Sequence, residues 1–308
     1  MRSLSLAVLA ATTLAALSSA KAADLDSDFL RGPDYDPAPA YAAIDWSGVY
    51  VGGHAGYTSA ALAQRNVLRS RLQDYFRYRD VESQFTASNL IALPGSRATG
   101  ASFGGFAGFN VQYDDVVLGI EADYTRFGRS AISSASIGRI YSLSNGISET
   151  VDIAGQSRTE IEDYGTIRAR AGYAMGSFLP FITGGLAIGR VTANDTAAVQ
   201  NYGYNQQTYA ANQALPASQR LEVYNHGYYS FNPNAPTGFG TIPYAPEQLP
   251  GTSIRTKTVG GAALGAGLEY AITSNILLRG EYQYVLFQSF NGHRAELNTI
   301  RGGAALKF

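Results

Sequence analysis

Thr299-Ile300-Arg301-Gly302-Gly303-Ala304-Ala305-Leu306-Lys307-Phe308 is the last stretch of the chain. Side chains alternate between the two faces of an extended strand, so Ile300, Ala304, Leu306 and Phe308 share one face with Gly302. Thr299, Arg301 and Lys307 share the other. A strand that is apolar along one face, cationic along the second and ends on Phe fits a membrane barrel, whose outer face meets lipid and whose inner face meets a polar interior. An ordinary edge strand of a soluble protein is the competing reading of this segment alone.

At the amino end Arg2 precedes an apolar run from Leu4 to Leu17, and Ala20-Lys21-Ala22 follows. A positive start, a short apolar stretch and an Ala-x-Ala site predict a secretory signal peptide over residues 1–22. The run is too short to cross a ~30 Å hydrocarbon core as a helix, and no other stretch approaches ~18 consecutive apolar residues. The chain has no cysteine, which excludes a disulfide-stapled scaffold and leaves no thiol for redox chemistry. Its 34 glycines, 21 tyrosines and 14 phenylalanines suit strands, tight turns and interfacial aromatic girdles. A net charge of −1 gives no reason to expect a nucleic-acid partner.

Residues 23–45, acidic and proline-containing with little periodicity, are expected to form a periplasmic lead-in. Residues 46–308 form the barrel domain. Trp46 opens the first strand, in which Val49, Val51, Ala55 and Tyr57 share a face. The next alternations run over Ala101–Tyr113 and Val116–Phe127, then over about 160–174, 178–191, 255–271 and 276–287, with the carboxyl-terminal strand as the eighth. Links after the second, fourth and sixth strands are a few residues long. The others, about 60–98, 128–158, 192–253 and 288–297, are long. Short turns at one end and long loops at the other predict an all-β, eight-stranded antiparallel transmembrane up-and-down β-barrel, with periplasmic turns and extracellular loops. A soluble, lipocalin-like barrel would invert the faces. Small residues on the apolar face (Ala122, Ala169, Ala171, Ala262, Ala266, Ala304) are poor filling for such a core.

The segments Trp46-Ser47-Gly48-Val49-Tyr50-Val51-Gly52, Leu118-Gly119-Ile120-Glu121-Ala122-Asp123-Tyr124 and Thr166-Ile167-Arg168-Ala169-Arg170-Ala171-Gly172-Tyr173 carry a resemblance. So do Gly265-Ala266-Gly267-Leu268-Glu269-Tyr270, Arg279-Gly280-Glu281-Tyr282-Gln283-Tyr284 and the final Phe308. Together, and in this order, they resemble the small alphaproteobacterial outer-membrane immunogenic or porin-family barrels. The resemblance implies a place in the cell outer membrane, contact with its lipids and lipopolysaccharide, and host or envelope components as partners. It also implies that Ala304, Leu306 and Phe308 form the signal read by the barrel assembly machinery. Leu306 departs from the family, which usually has an aromatic residue there.

Glu121, Asp123, Arg168, Arg170, Glu269, Arg279, Glu281, Arg301 and Lys307 all fall on the polar faces. An eight-stranded barrel has an interior just wide enough for side chains, so these charges must pair. The expectation is a plug of ion pairs and a structural, surface-interaction role in the envelope. A narrow porin-like channel, gated along the same charges, is the alternative. Arg65, Arg69, Arg71, Arg77 and Arg79, interleaved with Tyr75 and Tyr78, suit an anionic or planar ligand. Haem is the cofactor the resemblance keeps in view; otherwise none is expected. No metal-binding spacing appears among His54, His226 and His293. Ser289, His293 and Glu296 are too loosely grouped to predict catalysis.

Overall fold

The structure, a computed structural model, describes residues 44–232, 240–250 and 255–308. The expected signal peptide and nearly all of the lead-in lie outside the described residues. So do two short parts of the 192–253 link.

The principal strands are β1 (Gly48–Ala63), β2 (Ser96–Tyr113), β3 (Val116–Ser142), β4 (Ile147–Tyr173) and β5 (Phe178–Asn205), followed by β10 (Arg255–Ala271), β11 (Ile276–Phe287) and β12 (Arg294–Lys307). Between β5 and β10 lie the short pieces β6 (Asn225–His226), β7 (Tyr228–Ser230), β8 (Ile242–Pro243) and β9 (Glu247–Gln248). Three helices decorate the long connections: α1 (Arg69–Phe76), α2 (Asp80–Phe85) and α3 (Gln206–Gln213).

Each principal strand pairs antiparallel with the next. The ladder β12–β1 joins the last of these strands to the first, and β5–β10 spans the long insertion, so the eight strands form a ring. Each of the eight strands thereby has a ladder partner on both sides in the spanning part, the arrangement that a lipid environment demands. Tight turns separate β2 from β3 and β4 from β5; the first uses Asp114 at φ 52°, the second Gly176 at φ 61°.

The apolar faces point outward as the alternation predicts. Leu118, Ile120, Ile167, Ile182, Leu186, Leu264, Leu268 and Ile300 are all exposed. Two aromatic girdles bound this band. Tyr113, Tyr173, Phe178 and Tyr270 circle the turn end, while Tyr57, Phe103, Tyr124 and Tyr282 circle the loop end. Along β2 the girdles are about ten residues apart, the length that crosses a hydrocarbon core in a tilted strand. Beyond the upper girdle outward charges begin, among them Arg158–Glu160 and Arg294–Glu296, the latter 3.0 Å apart.

The loops differ from expectation. Residues 128–158 are mostly ladder: β3 and β4 run on as 27-residue strands and turn only at 143–146. β5 likewise continues to Asn205, so 192–205 is strand as well. A strand needs far fewer residues to cross a bilayer, so these three rise well beyond the girdle as a sheet. Residues 64–95 fold into α1, α2 and a 3-10 turn that lie against that sheet. Along β3 the extension carries little alternation to read, because Ser133 and Ala135 on its inner face are as small and weakly apolar as Ser134 and Ser136 on its outer one.

Candidate functional site

The interior of the ring is filled in layers. Nearest the turn end, Trp46, Val117, Leu179, Ala271, Leu277 and Ala305 form an apolar floor with Tyr50 and Phe106. Lys307 sits at this rim, where its ammonium group donates to the carbonyl oxygen of Asp45. It lies apart from the ion pairs it was expected to join, because its place near the end of β12 puts it below them.

The charged layer comes next. Four guanidinium groups (Arg168, Arg170, Arg279, Arg301) face four carboxylates (Glu121, Asp123, Glu269, Glu281), all of them buried. Register alone brings some together: Glu121 is the direct cross-strand partner of Arg168, Glu269 of Arg279, and Glu281 of Arg301. Arg168 donates to Glu121 at 2.6 Å, lies 2.8 Å from Asp123, and reaches across the lumen to Glu281. Arg279 crosses the other way, donating to Glu121 at 3.0 Å and lying 3.2 Å from Glu281. Arg170 grips Glu269 with two donors, one at 2.9 Å. Arg301 binds Glu281 at 2.8 Å and Asp123 at 3.2 Å. The formal charges cancel. Gly265 makes room for the layer: a Cβ there would fall 2.7 Å from Glu281 and 2.9 Å from Arg168.

Aromatic faces line the side of this layer toward the floor. The Arg170 and Arg279 guanidinium carbons stand 4.2 and 4.6 Å from the Phe181 ring centre, and Arg279 lies 4.8 Å from that of Phe106. The Tyr50 hydroxyl donates to Glu121 at 2.9 Å. Tyr50, Phe106 and Phe181 are site residues that sequence reasoning misses. Their inward parity is legible, but stacking on arginine needs the closed ring. His54 lies inward, on the face opposite Val51 and Ala55, with Nε2 3.4 Å from both Arg301 and Thr125.

Above the charges, Thr58, Ser102 and Thr299 share hydroxyl hydrogen bonds of 2.8 Å, with Tyr164 and Gln283 beside them. A second apolar layer follows, built from Leu62, Phe127, Ile161, Val191, Val285, Phe287 and Leu297 with their neighbours.

At the loop end the extended sheet and the β1–β2 connection make a crown with its own core. Leu68, Leu72, Phe76, Val81 and Leu93 pack on Val151, Ile153, Ala197 and Val199. This arrangement redistributes the arginine-rich loop. Arg71 donates to the Asp195 carbonyl oxygen at 2.5 Å; Arg79 donates to Asn201 at 2.6 Å and stacks 4.5 Å from the half-buried Tyr75 ring. Arg77 pairs with Asp74 on the surface. Arg65 and Arg69 are exposed, and Tyr78 is 92% exposed. The expected ligand cluster is therefore divided, two of its arginines holding the crown to β5.

His293 does not join Ser289 and Glu296. Its Nε2 lies 3.1 Å from Asp195 Oδ2 and its Nδ1 3.1 Å from Thr159 Oγ1, while Ser157 donates to Asp195 at 2.6 Å. Glu296 points outward and pairs with Arg294. Burial pushes the Asp195 carboxyl up, but the hydrogen bonds from His293 and Ser157 outweigh it and hold the group below its usual range. With Thr159 and Ser157 fully enclosed, the cluster ties the β11–β12 connection to β4 and β5. His226 similarly meets Glu149 at 2.7 Å. Among the described residues no group of three or more acidic, His or Cys side chains has a metal-binding arrangement. Ala304, Leu306 and Phe308 face outward together, Phe308 at 75% exposure.

The family model described as outer membrane protein beta-barrel domain matches residues 37–308. The chain is 27% identical to the 31 kDa outer-membrane immunogenic protein of Brucella melitensis biotype 1 over 98% of both chains. It is 26% identical to the 22 kDa outer membrane protein of Rhizobium leguminosarum bv. viciae over 61% of this chain and 54% of that protein. Among solved structures, Ail of Yersinia pestis aligns with a TM-score of 0.32 and 10% identity, covering 85% of this chain and 99% of that one. A likeness that low carries no argument about what the protein does.

Proposed function

This chain belongs to the outer membrane protein beta-barrel domain family and resides in the outer membrane, and from that premise we propose that it is a closed barrel with a structural, surface-display role rather than a channel. One observation carries the reading: apolar floor, neutral ion-pair layer, hydroxyl layer and second apolar layer follow one another with buried side chains at every level. An ion crossing it would have to break several buried pairs, each costing about 3–5 kcal/mol to strand. The names of the full-length Brucella relatives, outer-membrane immunogenic proteins, support exposure of the loop end at the cell surface. In this reading residues 1–22 direct export, the outward face of Ala304, Leu306 and Phe308 meets the assembly machinery, and the girdles meet outer-membrane lipid and lipopolysaccharide.

Planar-bilayer recording of the purified chain tests it. Current indistinguishable from that of the bare bilayer at neutral pH is expected. Stable unitary conductance steps from the wild-type protein would overturn the closed reading in favour of a narrow channel.

A further inference from the structure

Strand β3 has neighbours on both sides only along its lower half. β2 pairs with it from Val116 to Arg126; from Ser130 to Ser142 its ladder partner among the described residues is β4 alone. The other edge of the same extended sheet is treated differently. There β5 is met by β10 up to Ala193, by β9 at Ala198 and Val199, and by β6 at Gly203 and Tyr204. Among the described residues one edge is met by other strands and the other, about 40 Å long at ~3.3 Å per residue, has no ladder partner beyond the girdle, where the Pro94 carbonyl oxygen accepts from the inward Ser133 hydroxyl.

Open edges are ordinarily blunted by proline, charge or a bulge, because unpaired amides and carbonyls recruit another strand. From Ser130 to Gly138 this edge holds neither proline nor any charged residue, and its irregularity, at Arg126–Arg129, lies below the open part. The segment is also close to symmetric about Ser136. In an antiparallel register centred there, Ser136 meets itself, Ser134 meets Gly138 and Ile132 meets Ile140. On the opposite face Ala135 meets Ile137 and Ser133 meets Arg139, so no arginine opposes an arginine. Ile132 and Ile140 are 56% and 72% exposed in the single chain. The register would place these two β-branched side chains against each other, the kind of cross-strand pair that stabilises a ladder.

We propose that the open edge of β3 is a self-recognition site that pairs antiparallel with β3 of a second copy across a two-fold axis through Ser136. The contact is isologous and so closes on itself as a dimer. Copies in one membrane run β3 in the same direction. The antiparallel pair therefore joins copies in facing membranes and amounts to homotypic contact between cells or vesicles. The inference needs the sheet to stand outside the bilayer; it does not depend on whether the barrel conducts.

The test uses phosphatidylcholine vesicles carrying the full chain, with loop-end-out orientation checked by protease and vesicle clustering followed by light scattering. Wild-type vesicles should cluster. Ser136→Asp and Ser136→Lys each place like charges opposite one another at the axis and should abolish clustering. Ser136 is exposed, so both variants should keep the barrel circular-dichroism spectrum. Mixing vesicles that carry Ser136→Asp with vesicles that carry Ser136→Lys should restore clustering, because unlike charges then meet. Absence of clustering by the wild type, clustering by either charged variant alone, or failure of the mixture to recover would overturn the proposal.

Discussion

Arg168→Met probes the charged layer most directly. The wild-type guanidinium touches Glu121 at 2.6 Å, Asp123 at 2.8 Å and also Glu281, and its side chain is fully enclosed. Methionine keeps most of the length but leaves four carboxylates facing three guanidiniums. Stranding one buried charge costs about 3–5 kcal/mol, a shift of roughly a hundredfold to several-thousandfold in the folded-to-unfolded ratio. Adding Glu121→Gln restores neutrality, yet Arg279, which donates to Glu121 at 3.0 Å, then loses a charged partner. Recovery should therefore be partial, with a coupling of about 1–3 kcal/mol between the two sites. Urea unfolding in phospholipid vesicles supplies the measurement, because Trp46 is the chain's single tryptophan and lies buried in the floor beneath the layer. Strict additivity, or an Arg168→Met loss below ~0.5 kcal/mol, would refute the reasoning, since a residue in a water-filled lumen behaves like a surface position.

Two further outcomes separate the membrane band from the crown. Ile120→Arg, on the lipid face between the girdles, should cost about 2–4 kcal/mol in the same unfolding assay, whereas Ile140→Arg, equally outward but on the extended sheet, should stay within ~0.5 kcal/mol; equal costs would place both in one environment. Leu72→Ala, which empties a fully buried position in the crown core, should weaken the crown by about 2–5 kcal/mol. Trypsin should then cut faster at Arg65–Arg79 while the barrel's urea midpoint holds, and a matching fall of that midpoint would show that crown and barrel unfold as one unit.

Much of the spanning part is legible in the chain because strand parity is local. Val116, Leu118, Ile120, Ala122 and Tyr124 against Glu121, Asp123 and Thr125 need only period two to sort lipid face from lumen. Cross-strand pairs such as Glu121 with Arg168 follow from parity plus a short turn. The extension of β3 is not legible, because Ser133, Ser134, Ala135 and Ser136 carry little apolar contrast. Its strand state is set by its neighbouring strand and by the α1–α2 cover.

The sequence by itself therefore determined the strand number of the ring, which face meets lipid, which charges point inward and which end bears the long connections. These are consequences of alternation and turn length within tens of residues. Only the tertiary structure decided who pairs across the lumen, as in Arg168 with Glu281 and Arg301 with Asp123. It alone placed Lys307 below the ion pairs, drew Arg71 and Arg79 into the crown and brought His293 to Asp195. The physical reason is closure. Once eight strands join in a ring, residues far apart in the chain share one narrow interior, and charge neutrality and packing within that volume select partners that no local pattern encodes.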